Sequence, residues 1–187
     1  MRLTEKVHQI LSDQIKPGDY AIDATAGNGH DTLFLAKAVG PTGKVLAIDL
    51  QTSAIEATRQ RLDTATDPLG TVEICKGDHA EVLESRSEAE ARSASAIVFN
   101  LGYLPGSDKC IQTLPSSTER ALSASAQLVK SGGHLCVTAY RAHPGATKEA
   151  DAVARWMQAR AKEGWAVEYH EPPSPNKPPI LWLARKA

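Results

Sequence analysis

The sequence has 187 residues, of which 42% are hydrophobic and 23% are charged. This length suits one domain and is too short for two ordinary enzyme domains, and the composition is near the average for soluble globular proteins, which excludes a disordered, collagen-like or coiled-coil chain. Because 21 Lys and Arg face 22 Asp and Glu, the net charge is -1. No overall positive field would attract nucleic acid, so any RNA partner must bind a local patch.

The sequence has no membrane or secretory signal. No window holds about 18 consecutive apolar residues, and the N-terminal residues Met1 to Lys6 lack the apolar core of a secretory signal. The three cysteines, Cys75, Cys110 and Cys136, are far apart and form no C-x-x-C pair. We therefore expect a cytoplasmic protein with reduced thiols, no metal site and no membrane partner.

Short apolar strands alternate with helices along most of the chain. An amphipathic helix is predicted from Leu3, Val7, Ile10 and Leu11, followed by a strand, Tyr20 to Ala24, a glycine loop and a helix that ends near Gly40. Further strands are predicted at Lys44–Ile48, Val72–Cys75, Ala96–Phe99 and Leu135–Ala139, with helices at Ser53–Arg61, His79 to about Glu90, and Ser116–Val129. This order predicts an α/β fold, a parallel sheet with helices on both faces.

The C-terminal part breaks the alternation. After a helix at about Thr147 to Lys162, the strands Trp165–His170 and Ile180–Arg185 are separated by a proline-rich loop that is too short for a helical crossover. The last two strands should therefore form an antiparallel hairpin. The prediction is one domain over residues 1–187, with a seven-stranded, mostly parallel sheet.

The loop from Asp23 to Asp31 is the first candidate binding site. Gly27 and Gly29 follow a strand, where glycine lets the backbone approach a ligand closely, and open α/β sheets bind cofactors at the carboxyl ends of their strands. The spacing is not G-x-G-x-x-G, because Thr32 occupies the place of the third glycine. A pyrophosphate site is thereby disfavoured.

Acidic residues follow the next two strands. Asp49 lies about 20 residues beyond the glycine loop, where a carboxylate can bind both hydroxyls of an adenosine ribose. This position suits NAD and S-adenosylmethionine equally, and the alternative is that Asp49 caps a helix. Gln51 is a possible ribose or adenine contact. Asp78 and His79 occupy the corresponding loop after the third strand, where an acidic group could bind the adenine amino group or cap a helix.

The segment from Asn100 to Pro105 resembles the Asp/Asn-Pro-Pro-Tyr signature of methyltransferases that act on amino nitrogens, with Leu101 and Gly102 in place of the prolines. A nitrogen that attacks a methyl group must direct its lone pair at it, so its hydrogens need acceptors elsewhere, and the Asn100 amide oxygen can be one. Tyr103 could stack on the substrate or simply pack in the core. His143, after the fifth strand, could remove a proton or be a surface residue.

Three segments together resemble one bacterial family. They are residues 23–35, residues 100–109, and Gly132-Gly133 followed by residues 140–143. The sequence is similar to the small tRNA methyltransferases that N-methylate 5-aminomethyl-2-thiouridine at the wobble position, a family also catalogued as rRNA methylases. The resemblance implies a class I methyltransferase fold, S-adenosylmethionine as cofactor and a tRNA anticodon stem-loop as substrate. It also implies that the cofactor is lined by Asn28, Asp31, Asp49, Gln51, Asp78 and His79, and that the nucleotide is faced by Asn100, Tyr103 and His143.

Other functions stay open at this point. The substrate could be rRNA or a small-molecule amine, and a nicotinamide-dependent oxidoreductase would use a similar glycine turn and ribose-binding acid, although dehydrogenase sheets more often keep alternating. A non-catalytic RNA-binding module is a third class. A homodimer is also possible.

Overall fold

The computed structural model describes residues 3–102, 113–141, 146–173 and 178–187. The helices are α1 Leu3–Gln14, α2 His30–Val39, α3 Thr52–Asp63, α4 His79–Arg86, α5 Pro115–Leu128 and α6 Ala146–Lys162. The strands are β1 Tyr20–Asp23, β2 Lys44–Asp49, β3 Thr71–Lys76, β4 Ala94–Leu101, β5 Val129–Ala139, β6 Ala166–His170 and β7 Ile180–Arg185. These elements confirm the predicted α/β order.

The seven strands form one sheet in the order β3-β2-β1-β4-β5-β7-β6. Neighbouring strands from β3 to β5 are parallel, whereas β7 runs antiparallel to both β5 and β6. The predicted C-terminal hairpin is therefore confirmed. Its second strand inserts between β5 and the first, so that β7 is the one reversed strand of the sheet.

The core lies on both faces of the sheet. On one face, Ile22 and Phe99 belong to a buried cluster with side chains of α4, α5 and α6. On the other, Ala21 and Val98 pack with side chains of α1 and α2. Adjacent strand residues thus point into different clusters, which explains why β1 and β4 are apolar without alternation. Because helices cover both faces of the central strands, the carboxyl edge of the sheet is the candidate place for a ligand.

Two element boundaries differ from the prediction by more than two residues. Helix α4 ends at Arg86 rather than near Glu90. Strand β5 begins at Val129, earlier than predicted. The register of β5 against β4 shifts between Ala94 and Ala96, and Gly132 has a φ of 75°. The polar and glycine residues that begin β5 therefore form an irregular stretch of strand, which an apolar pattern does not reveal.

Candidate cofactor and substrate site

The strand order reverses at β1, which lies between β2 on one side and β4 on the other. In open α/β sheets the helical connections diverge at such a position, and the crevice at the carboxyl ends of the strands is where ligands bind. The glycine loop follows β1, Asp49 ends β2, and Asn100 is the penultimate residue of β4. The glycine loop, Asp49 and Asn100 therefore lie together at the carboxyl edge of the sheet.

The glycine loop adopts backbone conformations that favour glycine. Gly27 has a φ of 54° and Gly29 a φ of 75°. A Cβ at position 29 would lie 2.8 Å from the Thr58 Cα, so the loop passes directly against α3. From α3, the Thr58 hydroxyl donates to the Gly27 carbonyl at 3.3 Å and Arg61 Nε donates to the Asn28 carbonyl at 2.5 Å. Helix α3 thus holds the glycine loop in place.

Asp49 connects the ends of β1 and β2. Its Oδ2 accepts a hydrogen bond from the backbone N–H of Gly27, and its Oδ1 accepts one from the backbone N–H of Gln51, both at 2.9 Å. The N-cap of α3 is Gln51, so Asp49 is not the cap of that helix. Each carboxylate oxygen still has a free lone pair. The half-buried Asp49 therefore keeps acceptors for two hydroxyl groups.

Asp23 lies beneath the glycine loop, fully buried. Its oxygens accept from the Thr32 hydroxyl at 2.6 Å and from the Thr25 backbone N–H at 3.2 Å. Burial and the nearby charge of Asp31 raise the pKa of the Asp23 carboxyl to about 7. The predicted cofactor residue Asp23 therefore supports the loop from inside, by holding both of its ends.

Asp78 caps α4. Its Oδ1 accepts from the Ala80 N–H at 2.8 Å, and the Ser117 hydroxyl donates to the same carboxylate. Burial opposes ionisation, but these hydrogen bonds hold the pKa of Asp78 below its usual value. The helix-cap alternative stated above is thus observed for Asp78, and an adenine contact stays a prediction.

His79 is buried and packs edge-on against Phe99, with ring centroids 5.7 Å apart. Burial lowers the pKa of His79, so the ring is neutral at physiological pH. Its Nε2 has no hydrogen-bond partner among the residues that the structure describes. A buried polar atom normally has a partner, so this nitrogen is suited to a group from outside the described residues.

Asn100 is held through both its backbone and its side chain. Its backbone N–H donates to Thr25 Oγ1 at 2.6 Å, which joins β4 to the glycine loop. Its Nδ2 donates to Asp31 Oδ2, also at 2.6 Å. The other oxygen of Asp31 lies 2.6 Å from His8 Nε2 on α1. Asp31, which the resemblance places at the cofactor, therefore bridges α1 and Asn100.

Tyr103 and His143 lie outside the described residues, so their proposed contacts with the nucleotide stay predictions. Arg141, two positions before His143 in the sequence, donates to the carbonyl of Pro178 and pairs with Glu171. Within the described ranges, no cluster of three or more His, Cys, Asp and Glu side chains could hold a metal ion. None of the described helices has the length and apolarity needed to cross a membrane.

Sequence reasoning missed His8, Thr25, Thr58 and Arg61. The two α3 residues, Thr58 and Arg61, donate hydrogen bonds to the glycine loop. Thr25 accepts one from β4, and His8 contacts Asp31. Thr25 lies within the Asp23–Asp31 loop, although its own role was not predicted, and the other three residues belong to no motif. The one available signal was that His8 adjoins the apolar stripe of α1, where a polar ring needs a partner.

The sheet order, the reversed seventh strand and the position of the glycine loop define a class I methyltransferase fold. The chain belongs to the rRNA methylase family: the family model described as "Putative rRNA methylase" matches residues 45–185. The predicted family and fold are both confirmed.

Individual relatives agree with this assignment. A chloroplastic tRNA (mnm(5)s(2)U34)-methyltransferase of Arabidopsis thaliana is 34% identical over an alignment of 174 residues that covers 88% of this chain and 62% of that protein. The chain thus spans less than two thirds of that relative's length. A crystal structure described as a putative rRNA-methylase from Clostridium thermocellum has a TM-score of 0.88 and 32% identity, covering 98% of this chain and 97% of that one. SMU.1697c from Streptococcus mutans, described as a putative methyltransferase and solved with SAH, has a TM-score of 0.84 and 31% identity, covering 100% and 99%.

Proposed function

We propose that this protein is an S-adenosylmethionine-dependent methyltransferase that N-methylates the 5-aminomethyl group of uridine or 2-thiouridine at the tRNA wobble position. The observation that carries the proposal is the direct hydrogen bond between Asn100 and Thr25. It sets the loop that resembles an amine-methylase signature against the candidate cofactor loop. Substrate amine and cofactor would therefore meet at one edge of the sheet, as methyl transfer requires.

The residues at this edge fit S-adenosylmethionine. Asp49 keeps acceptors for the two ribose hydroxyls, and His79 Nε2 is unpartnered among the described residues. The predicted cofactor also agrees with the SAH found in the Streptococcus mutans relative. A nicotinamide cofactor is disfavoured, because the loop lacks the third glycine of the dinucleotide fingerprint.

The chain's own groups would orient the amine. When bound, S-adenosylmethionine would supply a sulfonium methyl group. The amine nitrogen would form a bond to the methyl carbon as the carbon–sulfur bond breaks. The amine would then lose a proton to solvent or a base. Asn100 Oδ1 would accept an N–H of the amine, which would leave the lone pair of the nitrogen directed at the methyl group. A neutral amide suits this role, because a carboxylate would stabilise the unreactive ammonium form.

The tRNA substrate is supported by the name of the Arabidopsis thaliana relative, which is a tRNA methyltransferase, whereas the family description names rRNA. The deciding experiment incubates the purified protein and S-adenosylmethionine with tRNA and, separately, rRNA from cells that lack this gene. Nucleoside mass spectrometry should show 5-aminomethyl-2-thiouridine converted to its N-methyl form in tRNA. Methylation of rRNA alone, or of neither RNA, would refute the proposed substrate.

The predicted cytoplasmic location, the anticodon stem-loop as binding region and a possible homodimer stay predictions. The anticodon stem-loop follows from the wobble position of the target base. Since the net charge is -1, binding would depend on a local basic patch rather than on the whole surface.

A further inference from the structure

We infer that Asp31 is a positioning residue, held by His8, that fixes which way the Asn100 amide faces. This inference rests on the proposed function, in which Asn100 Oδ1 accepts an N–H of the substrate amine. Three elements distant in sequence meet here: His8 on α1, Asp31 in the first turn of α2 and Asn100 on β4. The two hydrogen bonds that join them are both 2.6 Å long.

The chemistry of the pair decides the orientation of the amide. An ionised carboxylate can only accept hydrogen bonds, and an asparagine side chain donates only through its nitrogen. The Asn100 group that faces Asp31 Oδ2 must therefore be the NH₂. Its oxygen is consequently directed away from Asp31. Without an acceptor at position 31, the Asn100 amide could rotate by a half-turn, which exchanges the positions of its oxygen and its NH₂. The NH₂ would then face the N–H groups of a bound amine, so that two donors would meet.

His8 in turn holds the carboxylate. Its imidazole stacks on Phe34, with ring centroids 3.9 Å apart and an angle of 7° between the planes, and its Nε2 faces Asp31 Oδ1. Each oxygen of Asp31 therefore has its own nitrogen donor, and the residue is only 7% exposed. Because Asp31 is buried, whereas Asp49 is half-buried, Asp31 is poorly placed to bind a cofactor. Helix α1 thereby becomes part of the machinery that orients the substrate-facing amide.

Two variants of Asp31 separate positioning from cofactor binding. In Asp31→Ala the acceptor is lost, and we expect kcat for methyl transfer to tRNA to fall about 10- to 100-fold while the KM for S-adenosylmethionine changes by about twofold or less. Asp31→Asn keeps an oxygen that can accept from Asn100, and it should recover most of the lost kcat. A raised KM for S-adenosylmethionine with unchanged kcat, or an Asp31→Asn variant as slow as Asp31→Ala, would overturn the inference.

A matched pair at position 8 tests the outer hydrogen bond. His8→Gln keeps a side-chain N–H donor, whereas His8→Leu keeps an apolar group over Phe34 without one. We expect a lower kcat for His8→Leu than for His8→Gln, with similar KM values for S-adenosylmethionine. His134→Gln on β5, which removes a half-buried imidazole away from the site, is the control. Equal kcat for both His8 variants would show that His8 does not hold Asp31.

A spectroscopic measurement keeps the inference testable without turnover. The chain has three asparagines, Asn28, Asn100 and Asn176, so ¹⁵N-asparagine labelling gives three side-chain amide pairs. Asn100→Ser identifies the pair of Asn100. In the wild-type protein that pair should have one strongly hydrogen-bonded proton, and Asp31→Ala should return the difference between its two proton shifts to that of a free amide. An unchanged Asn100 signal in Asp31→Ala would refute the orientation, whereas wild-type protein without activity on tRNA would refute the proposed function instead.

Discussion

Asp49 accepts a hydrogen bond from the backbone N–H of Gly27 at 2.9 Å, which ties the carboxyl end of β2 to the loop that follows β1. One carboxylate therefore shapes the candidate cofactor loop and offers acceptors to a ribose. Replacement of Asp49 should therefore affect both the shape of the loop and the binding of the ribose.

The first prediction is that Asp49→Ala weakens binding of S-adenosylmethionine. Two charge-assisted hydrogen bonds to the ribose would be lost, each worth about 1.5 to 3 kcal/mol, so the affinity should fall about tenfold or more. Isothermal titration calorimetry with S-adenosylmethionine measures the change. The exposed Glu56→Ala on α3 is the control and should bind as the wild type does. Unchanged affinity in a folded Asp49→Ala variant would exclude Asp49 from the ribose site.

The cofactor edge was largely predictable because its signals are local. Strands β1 and β2 are apolar runs, and the glycine loop and Asp49 follow them directly, so the general geometry of parallel sheets places these residues together. Asp78 was ambiguous for a physical reason: a carboxylate that caps a helix and one that binds a ligand occupy the same position after a strand.

The bridge from His8 to Asn100 could not be predicted. It depends on how α1 packs beside α2, and His8 and Asp31 are 23 positions apart with no repeating pattern between them. The beginning of β5 was missed for a different reason. Gly132 and Gly133 interrupt the apolar pattern by which the strand was predicted, and they lie where its register is irregular.

The second prediction concerns pH and Asp23. Its carboxyl has a pKa of about 7 in the folded protein and 3.8 as an ordinary side chain. Between these values the folded state holds more protons than the unfolded state, so this group lowers the free energy of unfolding as the pH rises from about 4 to about 7, and above that its effect is constant. Asp23→Asn removes this dependence.

Urea unfolding at several pH values from about 4.5 to 8 checks this second prediction. Relative to the wild type, Asp23→Asn should gain stability as the pH rises, because it avoids the cost of a buried charge while its amide still bonds Thr32. Asp13→Asn, an exposed change on α1, is the control. Parallel curves for Asp23→Asn and the wild type would contradict the raised pKa.

The third prediction compares two glycines with positive φ. Gly29 has a φ of 75°, and an added Cβ would lie 2.8 Å from the backbone of Thr58. Gly164 has a φ of 93°, but nothing described lies within 4 Å of an added Cβ. Gly164→Ala should therefore cost only the conformational penalty, about 1 to 2 kcal/mol. Gly29→Ala should cost more and should also weaken binding of S-adenosylmethionine. Equal changes in the urea midpoint would contradict the close packing of the loop on α3.

The last prediction concerns the charge beside the amine. An aliphatic amine with a pKa near 10 is protonated at pH 7. Holding it in the neutral form costs about 1.4 kcal/mol for each unit by which its pKa exceeds the pH. Asn100→Asp would place a second carboxylate against Asp31 and favour the ammonium. The variant should bind S-adenosylmethionine normally but lose most methyl transfer at pH 7, with partial recovery toward about pH 9 as the amine deprotonates in solution. Methyl-transfer rates at saturating substrates measure this. Wild-type rates for both Asn100→Asp and His143→Ala across that range would refute the assignment of the nucleotide-facing side.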